Sequence, residues 1–201
     1  ITWASRRSAP EAITVDPALA AGAKAEGYVI GNPNAPVEIV EFLDFECPGC
    51  AQFATVTEPD VMQRLVAPGR ARLRIFDLQI IPQHRNAPAA SLAAACAHDQ
   101  GKFSQMHDRI FAGQNDWNTQ ATDDPKPILV GYARELGLDE AKFTQCYDGR
   151  THVARLAAHQ QEAQRRSVRG TPTFIVGGKQ INAAISYDVI KAYVDSAAAS
   201  A

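Results

Sequence analysis

The chain has 201 residues, 46% of them hydrophobic and 21% charged, with four cysteines. That length buries a core large enough to fold without covalent staples, and 20 Lys and Arg against 22 Asp and Glu leave a net charge of −2 with no dense basic run, which excludes the electrostatic footprint of a nucleic-acid binder. No apolar run approaches the roughly 18 residues of a membrane helix, and four cysteines allow three pairings, compatible with one catalytic and one structural pair.

Residues 1–35 are rich in Ala, Gly, Pro and charge and show little periodicity, so they read as an N-terminal arm or linker. The first residue is Ile1 rather than Met, and a signal peptide or membrane anchor ahead of it is expected. Val37 to Leu43 (VEIVEFL), bounded by Pro36 and a Cys-Pro-Gly-Cys turn, suits a central strand. From Pro48 a helix is expected with Phe53, Val56, Met62, Leu65 and Val66 on its apolar side, kinked at Pro59 and ended by Pro68-Gly69. Arg70 to Ile81 reads as a second strand, stopped by Pro82. The three together make a βαβ unit, which calls for parallel strands and a right-handed crossover.

The stretch after this unit reads as almost wholly helical. Phe103, Met106, His107, Ile110 and Phe111 fall at i, i+3, i+4, i+7 and i+8 and define one apolar face; Ile128, Leu129, Tyr132, Ala133 and Leu136 do the same ahead of Gly137, a C-terminal stop. Asp139 is placed to cap a helix carrying Phe143, Cys146 and Tyr147, and an Ala- and Gln-rich helix spans about 151–166. Thr173 to Val176, Gly177-Gly178 and Lys179 to Ile181 form a hairpin signature, after which Ser186 caps a last helix with Ile190, Tyr193 and Val194 inward. The order is therefore βαβ, helical block, ββα.

Cys47-Pro48-Gly49-Cys50 lies between a strand and a helix, which puts Cys47 at a helix N-terminus. Unpaired N–H groups and the helix dipole there favour an anion, so Cys47 is expected to be an exposed, attacking thiolate and Cys50 a sheltered, resolving thiol. Cys-x-x-Cys in a βαβ setting is a redox signature. A zinc site would need four ligands, and Cys96 and Cys146 stand without a second Cys-x-x-Cys or a histidine at ligand spacing, so no metal is assigned. His84, His98, His107, His152 and His159 read as surface or core residues, Asp44 and Glu46 as solvated loop charges opposing the thiolate, and Arg165, Arg166 and Arg169 as a solvated face.

Three segments, Gly31-Asn-Pro-Asn-Ala-Pro-Val37, Glu41-Phe-Leu-Asp-Phe-Glu-Cys-Pro-Gly-Cys50 and Gly170-Thr-Pro-Thr-Phe-Ile-Val176, resemble the DsbA-like branch of the thioredoxin-fold thiol-disulfide oxidoreductases over about residues 28–198. The resemblance implies an α/β thioredoxin fold with an inserted helical domain: arm 1–35, first thioredoxin part 36–83, helical insertion 84–166, second thioredoxin part 167–201. It implies that Thr171-Pro172 is a cis-proline loop laying backbone groups beside Cys47 for an extended substrate. Glu41 matches the family's buried acid, and its apolar neighbours Val37, Ile39, Val40, Phe42 and Leu43 suit a raised pKa and proton exchange with Cys50, the competing reading being a carboxylate reaching solvent. Cys96 and Cys146 resemble a structural disulfide of some relatives, with two buried free thiols as the alternative. Gly49 departs from the His of the strongest oxidants and offers no hydrogen bond to the sulfur, which points to a lower potential than theirs.

The function implied is an extracytoplasmic dithiol oxidase, monomeric, in the periplasm or cell envelope. It would need no cofactor beyond the Cys47/Cys50 disulfide, take unfolded or partly folded exported proteins as substrates, and be reoxidised by a membrane redox partner. A reductase or isomerase of the same fold is the alternative, as is a non-catalytic client- or metal-delivery module.

Overall fold

A computed structural model describes residues 12–79 and 81–200. Five strands form one sheet in the order β1-β3-β2-β4-β5: β1 (Tyr28–Ile30), β2 (Val37–Leu43), β3 (Ala71–Asp77), β4 (Thr173–Val176) and β5 (Lys179–Ile181). β2 lies at the centre, parallel to β3 and antiparallel to β4, and nearly every residue of it is buried because both faces of the sheet are covered. Its one partly exposed acid, Glu38, stands opposite Arg72 and accepts from Arg72 Nε at 2.7 Å and Arg74 Nε at 3.0 Å.

After β2 the chain turns into α1 (Pro48–Gln52), a π-helical turn (Phe53–Thr57), α2 (Glu58–Val61) and a second π-turn (Met62–Val66), one continuous helical run over 48–66. Pro59 has no N–H to donate and its ring crowds the carbonyl four residues back. The wide turn ahead of it relieves that conflict, and the Thr55 hydroxyl takes up the Ala51 carbonyl at 2.7 Å.

Between β3 and β4 lie α3 (Ala87–His98), α4 (Phe103–Ala112), α5 (Gln114–Trp117), α6 (Lys126–Glu135), α7 (Glu140–Asp148) and α8 (Val153–Arg165); α9 (Tyr187–Ala198) closes the described fold. The expected apolar faces turn inward, Phe103, Met106, His107, Ile110 and Phe111 being buried, as are Leu129, Tyr132, Phe143 and Tyr147; Val56, expected on the apolar side of the 48–66 run, is instead 69% exposed. Asp139 caps α7, its carboxylate accepting the Lys142 N–H at 3.1 Å. The alanine-rich α3 has no polar face at all and forms the buried centre of the helical layer. A helix apolar all round has no periodicity to read.

Two expectations need correction. The segment 1–35 is more than an arm: residues 1–11 lie outside the described residues, but Pro17–Ala20 form a 3-10 turn packed on α8, and β1 is a strand of the sheet, antiparallel to β3. Gly27 and Gly31, read as linker glycines, have φ of +64° and +96°, and a Cβ on Gly31 would stand 2.4 Å from Val66 Cγ1. They are tight-packing positions, and three strand residues between them are too few for an alternation signal. The second strand also ends at Asp77 rather than Ile81: the Leu78 N–H makes a last bond to β2, at the Leu43 carbonyl (2.7 Å), and the Gln79 carbonyl then accepts from Gln160 Nε2 at 3.2 Å instead of from a strand.

Cys96 in α3 and Cys146 in α7 are joined in a disulfide, their Cα atoms 5.8 Å apart and 50 residues apart in sequence. Closing such a loop restricts the unfolded chain by about 4 kcal/mol in the chain-entropy account. Replacing both cysteines by Ala is expected to lower unfolding stability in urea by about that amount. A loss below about 1 kcal/mol would show that the bridge is not a stabilising one.

Candidate active site

The register of the central strands assembles the site. Phe42 near the end of β2 stands opposite Thr173 at the start of β4, so the loop leaving β2 and the loop entering β4 meet above the same end of the sheet. Cys47 arrives on the first loop, Thr171-Pro172 on the second. The Thr171–Pro172 peptide bond is cis, the Cys47 thiol donates to the Thr171 carbonyl at 3.3 Å, and a Cβ on Gly49 would sit 3.1 Å from Pro172 Cδ. Gly49 therefore lets the proline ring approach the first helical turn closely.

Cys47 is the N-cap of α1 and Pro48 its first residue, a position where the missing N–H costs nothing. Cys47 and Cys50 are free thiols with opposite electrostatic fates. The Cys47 pKa is lowered to about 5: hydrogen bonding from the Cys50 thiol is the chief cause, aided by the Thr171 side chain and the N–H groups of Cys50 and Gly49, against a burial that opposes ionisation. Burial pushes the Cys50 thiol well above the ordinary cysteine range, and the Cys47 sulfur and Glu41 push it further. Contrary to an exposed attacking thiol, Cys47 retains only 7% of its surface and Cys50 none. The approaching cis-proline loop covers the sulfur that the helix start would otherwise present.

Glu41 lies on β2 beneath this pair at 1% exposure, its Oε2 without a hydrogen-bond partner. Burial raises its pKa well above the ordinary carboxylate value, and Glu58 and the Cys47 sulfur add to that. Glu58 from α2 and His107 from α4 are buried beside it, Glu58 Oε2 and His107 Nε2 standing 3.8 Å apart. Burial raises the Glu58 pKa too, while the carboxylates of Glu58, Asp108 and Glu41 overcome burial and raise His107 to about 9.

Asp44 and Glu46 are not solvated loop charges. Asp44 is fully buried, accepts the Glu46 N–H at 2.8 Å and pairs with His84 Nδ1 at 2.9 Å; burial raises its pKa and the His84 bond works against that rise. That hydrogen bond, first among the causes, raises the His84 pKa. Glu46 reaches the N-terminus of α3 and accepts from the N–H groups of Asn86 (2.7 Å) and Ala87 (2.8 Å), and from the N–H (2.5 Å) and hydroxyl (2.9 Å) of Thr119. An anion there complements the helix dipole, and it ties the active-site loop to the helical insertion. Gln114 adds a second tie, donating to the carbonyls of Phe45 (2.7 Å) and Cys47 (3.3 Å).

The site thus gathers Cys47, Pro48, Gly49, Cys50, Glu41, Thr171 and Pro172, while Cys96 and Cys146 lie apart in the helical layer. Arg165 and Arg166 are bound to Glu162. Glu46, Glu58, His84, His107 and Gln114 were not assigned to the site from sequence. Only His107 left a trace, a titratable ring on an otherwise apolar helix face.

The family model described as Thioredoxin matches residues 23–196, so the chain belongs to that family. Its fold is that of the DsbA-like thiol-disulfide oxidoreductases. BdbD from Bacillus subtilis superposes with a TM-score of 0.74 at 22% identity, covering 85% of this chain and 92% of that one. A thioredoxin-like oxidoreductase from Silicibacter pomeroyi gives 0.73 at 25% identity, covering 88% and 94%. Among curated relatives, a Na(+)/H(+) antiporter NhaA 3 of Salinispora tropica is 37% identical over 87% of this chain, and the chain spans only 25% of that relative's length. The probable disulfide bond formation protein D of Bacillus anthracis is 24% identical over 83% of this chain and 76% of its own.

Glu46→Ala would remove the acceptor shared by four donors at the loop–insertion junction, of which the Asn86 and Ala87 N–H groups keep bonds to Thr119 Oγ1 (3.1 Å) and the His84 carbonyl (3.3 Å). It is expected to cost about 3 kcal/mol in chemical denaturation, and a change under about 0.5 kcal/mol would mean that water takes over these bonds.

Proposed function

We propose that this protein is an extracytoplasmic dithiol oxidase that passes the Cys47–Cys50 disulfide to exported proteins. The observation that supports this is the divergence of the two thiols: Cys47 ionises near pH 5 while Cys50 is held protonated. A stabilised thiolate stabilises the reduced enzyme, which makes the disulfide form the better oxidant. A substrate thiolate attacks the Cys47 sulfur of the disulfide, the Cys47–Cys50 bond breaks, and Cys50 leaves and takes a proton, for which Glu41 is the nearest buried acid. The substrate's second thiolate then attacks the mixed disulfide, Cys47 leaves as a thiolate, and the substrate carries away the new disulfide. Backbone groups at Thr171, beside the sulfur, are the surface on which an extended substrate segment would pair.

Partly folded exported proteins would be the substrates, a membrane redox partner would restore the disulfide, and the enzyme would act as a monomer in the periplasm or cell envelope. Ion transport forms no part of the proposal: the antiporters share this region over a quarter of their length, and no helix among the described residues is long and apolar enough to cross a membrane.

Equilibration of the Cys47/Cys50 pair against glutathione tests the direction. With Gly49 in place of a donor and a Cys47 pKa between those of thioredoxin and DsbA, the potential is expected between those of the same two proteins, roughly −270 and −120 mV. A potential below about −270 mV would assign the chain to the reductants, and failure to exchange with glutathione at all would leave a binding module.

A further inference from the structure

The disulfide exchange moves a proton at a place that water does not reach. Cys50 and Glu41 are both closed to solvent, yet Cys50 must gain one proton each time the enzyme is reduced and lose it each time it is reoxidised. Glu41 can hold that proton for one half-cycle only. It has to be refilled and emptied from outside.

Behind Glu41 the structure lines up groups suited to this. Three buried polar atoms lack any hydrogen-bond partner in one neighbourhood: Glu41 Oε2 from β2, Glu58 Oε2 from α2 and His107 Nε2 from α4. Unsatisfied buried groups are costly, and three converging in one place call for an explanation beyond stability. His107 presents Nε2 towards Glu58 at 3.8 Å, while its Nδ1 bonds Asp108 Oδ1 at 2.9 Å. An imidazole with an acid at each nitrogen can take a proton on one and release it from the other. The rings of Phe45 and Phe111 flank it at centroid distances of 5.8 and 5.0 Å, which holds the ring in place. The Asp108 side chain is 71% exposed, and a cleft of about 440 Å³ lined by Ala54, Thr55, Glu58, Pro59, Met62 and Asp108 opens at the same spot.

We propose that Glu58, His107 and Asp108 form the proton route between Glu41 and solvent, with its mouth in the cleft between α2 and α4. The inference rests on the oxidoreductase reading above and extends it. On reduction of the enzyme, Glu41 protonates the leaving Cys50 sulfur and is reprotonated from His107 or Glu58, and His107 recovers its proton through Asp108. On reoxidation the same proton leaves in reverse order. One proton enters and one leaves per cycle, and no other group is consumed. The groups facing this route are Cys47 and Cys50 from the active-site turn, Glu41 from β2, Glu58 from α2, and His107 and Asp108 from α4. None of the residues lining the cleft belongs to the Cys47–Cys50 turn or to the Thr171-Pro172 loop, so a substrate polypeptide can cover Cys47 without blocking proton exchange. Glu58 and His107 act through Glu41 and are positioning residues for the proton.

The test follows reduction of the oxidised protein by a dithiol peptide in stopped flow, through the rise of Cys47 thiolate absorbance, between pH 5 and 8 in H2O and in D2O. Asp108→Asn sits at the surface and spares the core; Glu58→Gln keeps the buried shape. Each is expected to slow the reaction roughly tenfold, below the usual range for a lost proton-transfer group because Glu41 itself remains, and to enlarge the solvent isotope effect. Added imidazole buffer should restore the Asp108→Asn rate by entering the cleft. Rates and isotope effects equal to those of the unsubstituted protein would overturn the route, and so would a slow Asp108→Asn variant that imidazole does not rescue, which would mark a structural effect. An unsubstituted protein that fails to oxidise the peptide would instead overturn the oxidase reading on which the route rests.

Discussion

A thiolate at position 47 is stable only where polar groups converge on the sulfur strongly enough to outweigh its burial, and most of the architecture serves that convergence. Cys47 caps α1, which supplies the N–H groups of Gly49 and Cys50, the Cys50 thiol points back at the sulfur, and the β2–β4 register brings the Thr171 side chain from 124 residues away. Each contribution comes from a different structural level: local capping, a one-turn separation, and a long-range strand pairing. Loss of the register would remove Thr171 and Pro172 together, which is why the sheet has to be continuous and buried on both faces.

The helical insertion takes part in the site through a carboxylate. Glu46 places its charge at the start of α3 and on Thr119, so the loop carrying Cys47 is fixed to both layers of the molecule. The acids around the site have different tasks because they have different surroundings. Glu46 is saturated with donors, Asp44 is paired with His84, and Glu41, with one carboxylate oxygen unpartnered, has its pKa raised by burial.

Much of this was legible in the residues. The run VEIVEFL announces a buried central strand, the Gly177-Gly178 pair the hairpin turn, and Cys-Pro-Gly-Cys after a strand the placement of a sulfur at a helix start. What could not be read depended on distance or on the lack of contrast. α3 is apolar all round and so has no period; β1 is three residues long between two glycines; and the acids at 44 and 46 look like loop charges until α3 and His84 are brought against them. Glu58 sits 17 positions from Glu41 and His107 sits 66, in a face that packing alone explains, so no spacing links them. Burial is a property of the folded whole, and a sequence read locally assigns charge to the surface by default.

The central claim is electrostatic and has a direct measurement. Titration of the reduced protein by its ultraviolet thiolate absorbance, with Cys47→Ser as the blank, reads the ionisation of this one sulfur. The expected midpoint is about 5, with the thiolate, and the stability it lends the reduced form, growing from that pH upward to the pKa of an unfolded cysteine near about 8.5 and vanishing below the midpoint. A midpoint at or above about 8 would show a thiol no more acidic than a free cysteine and would contradict it.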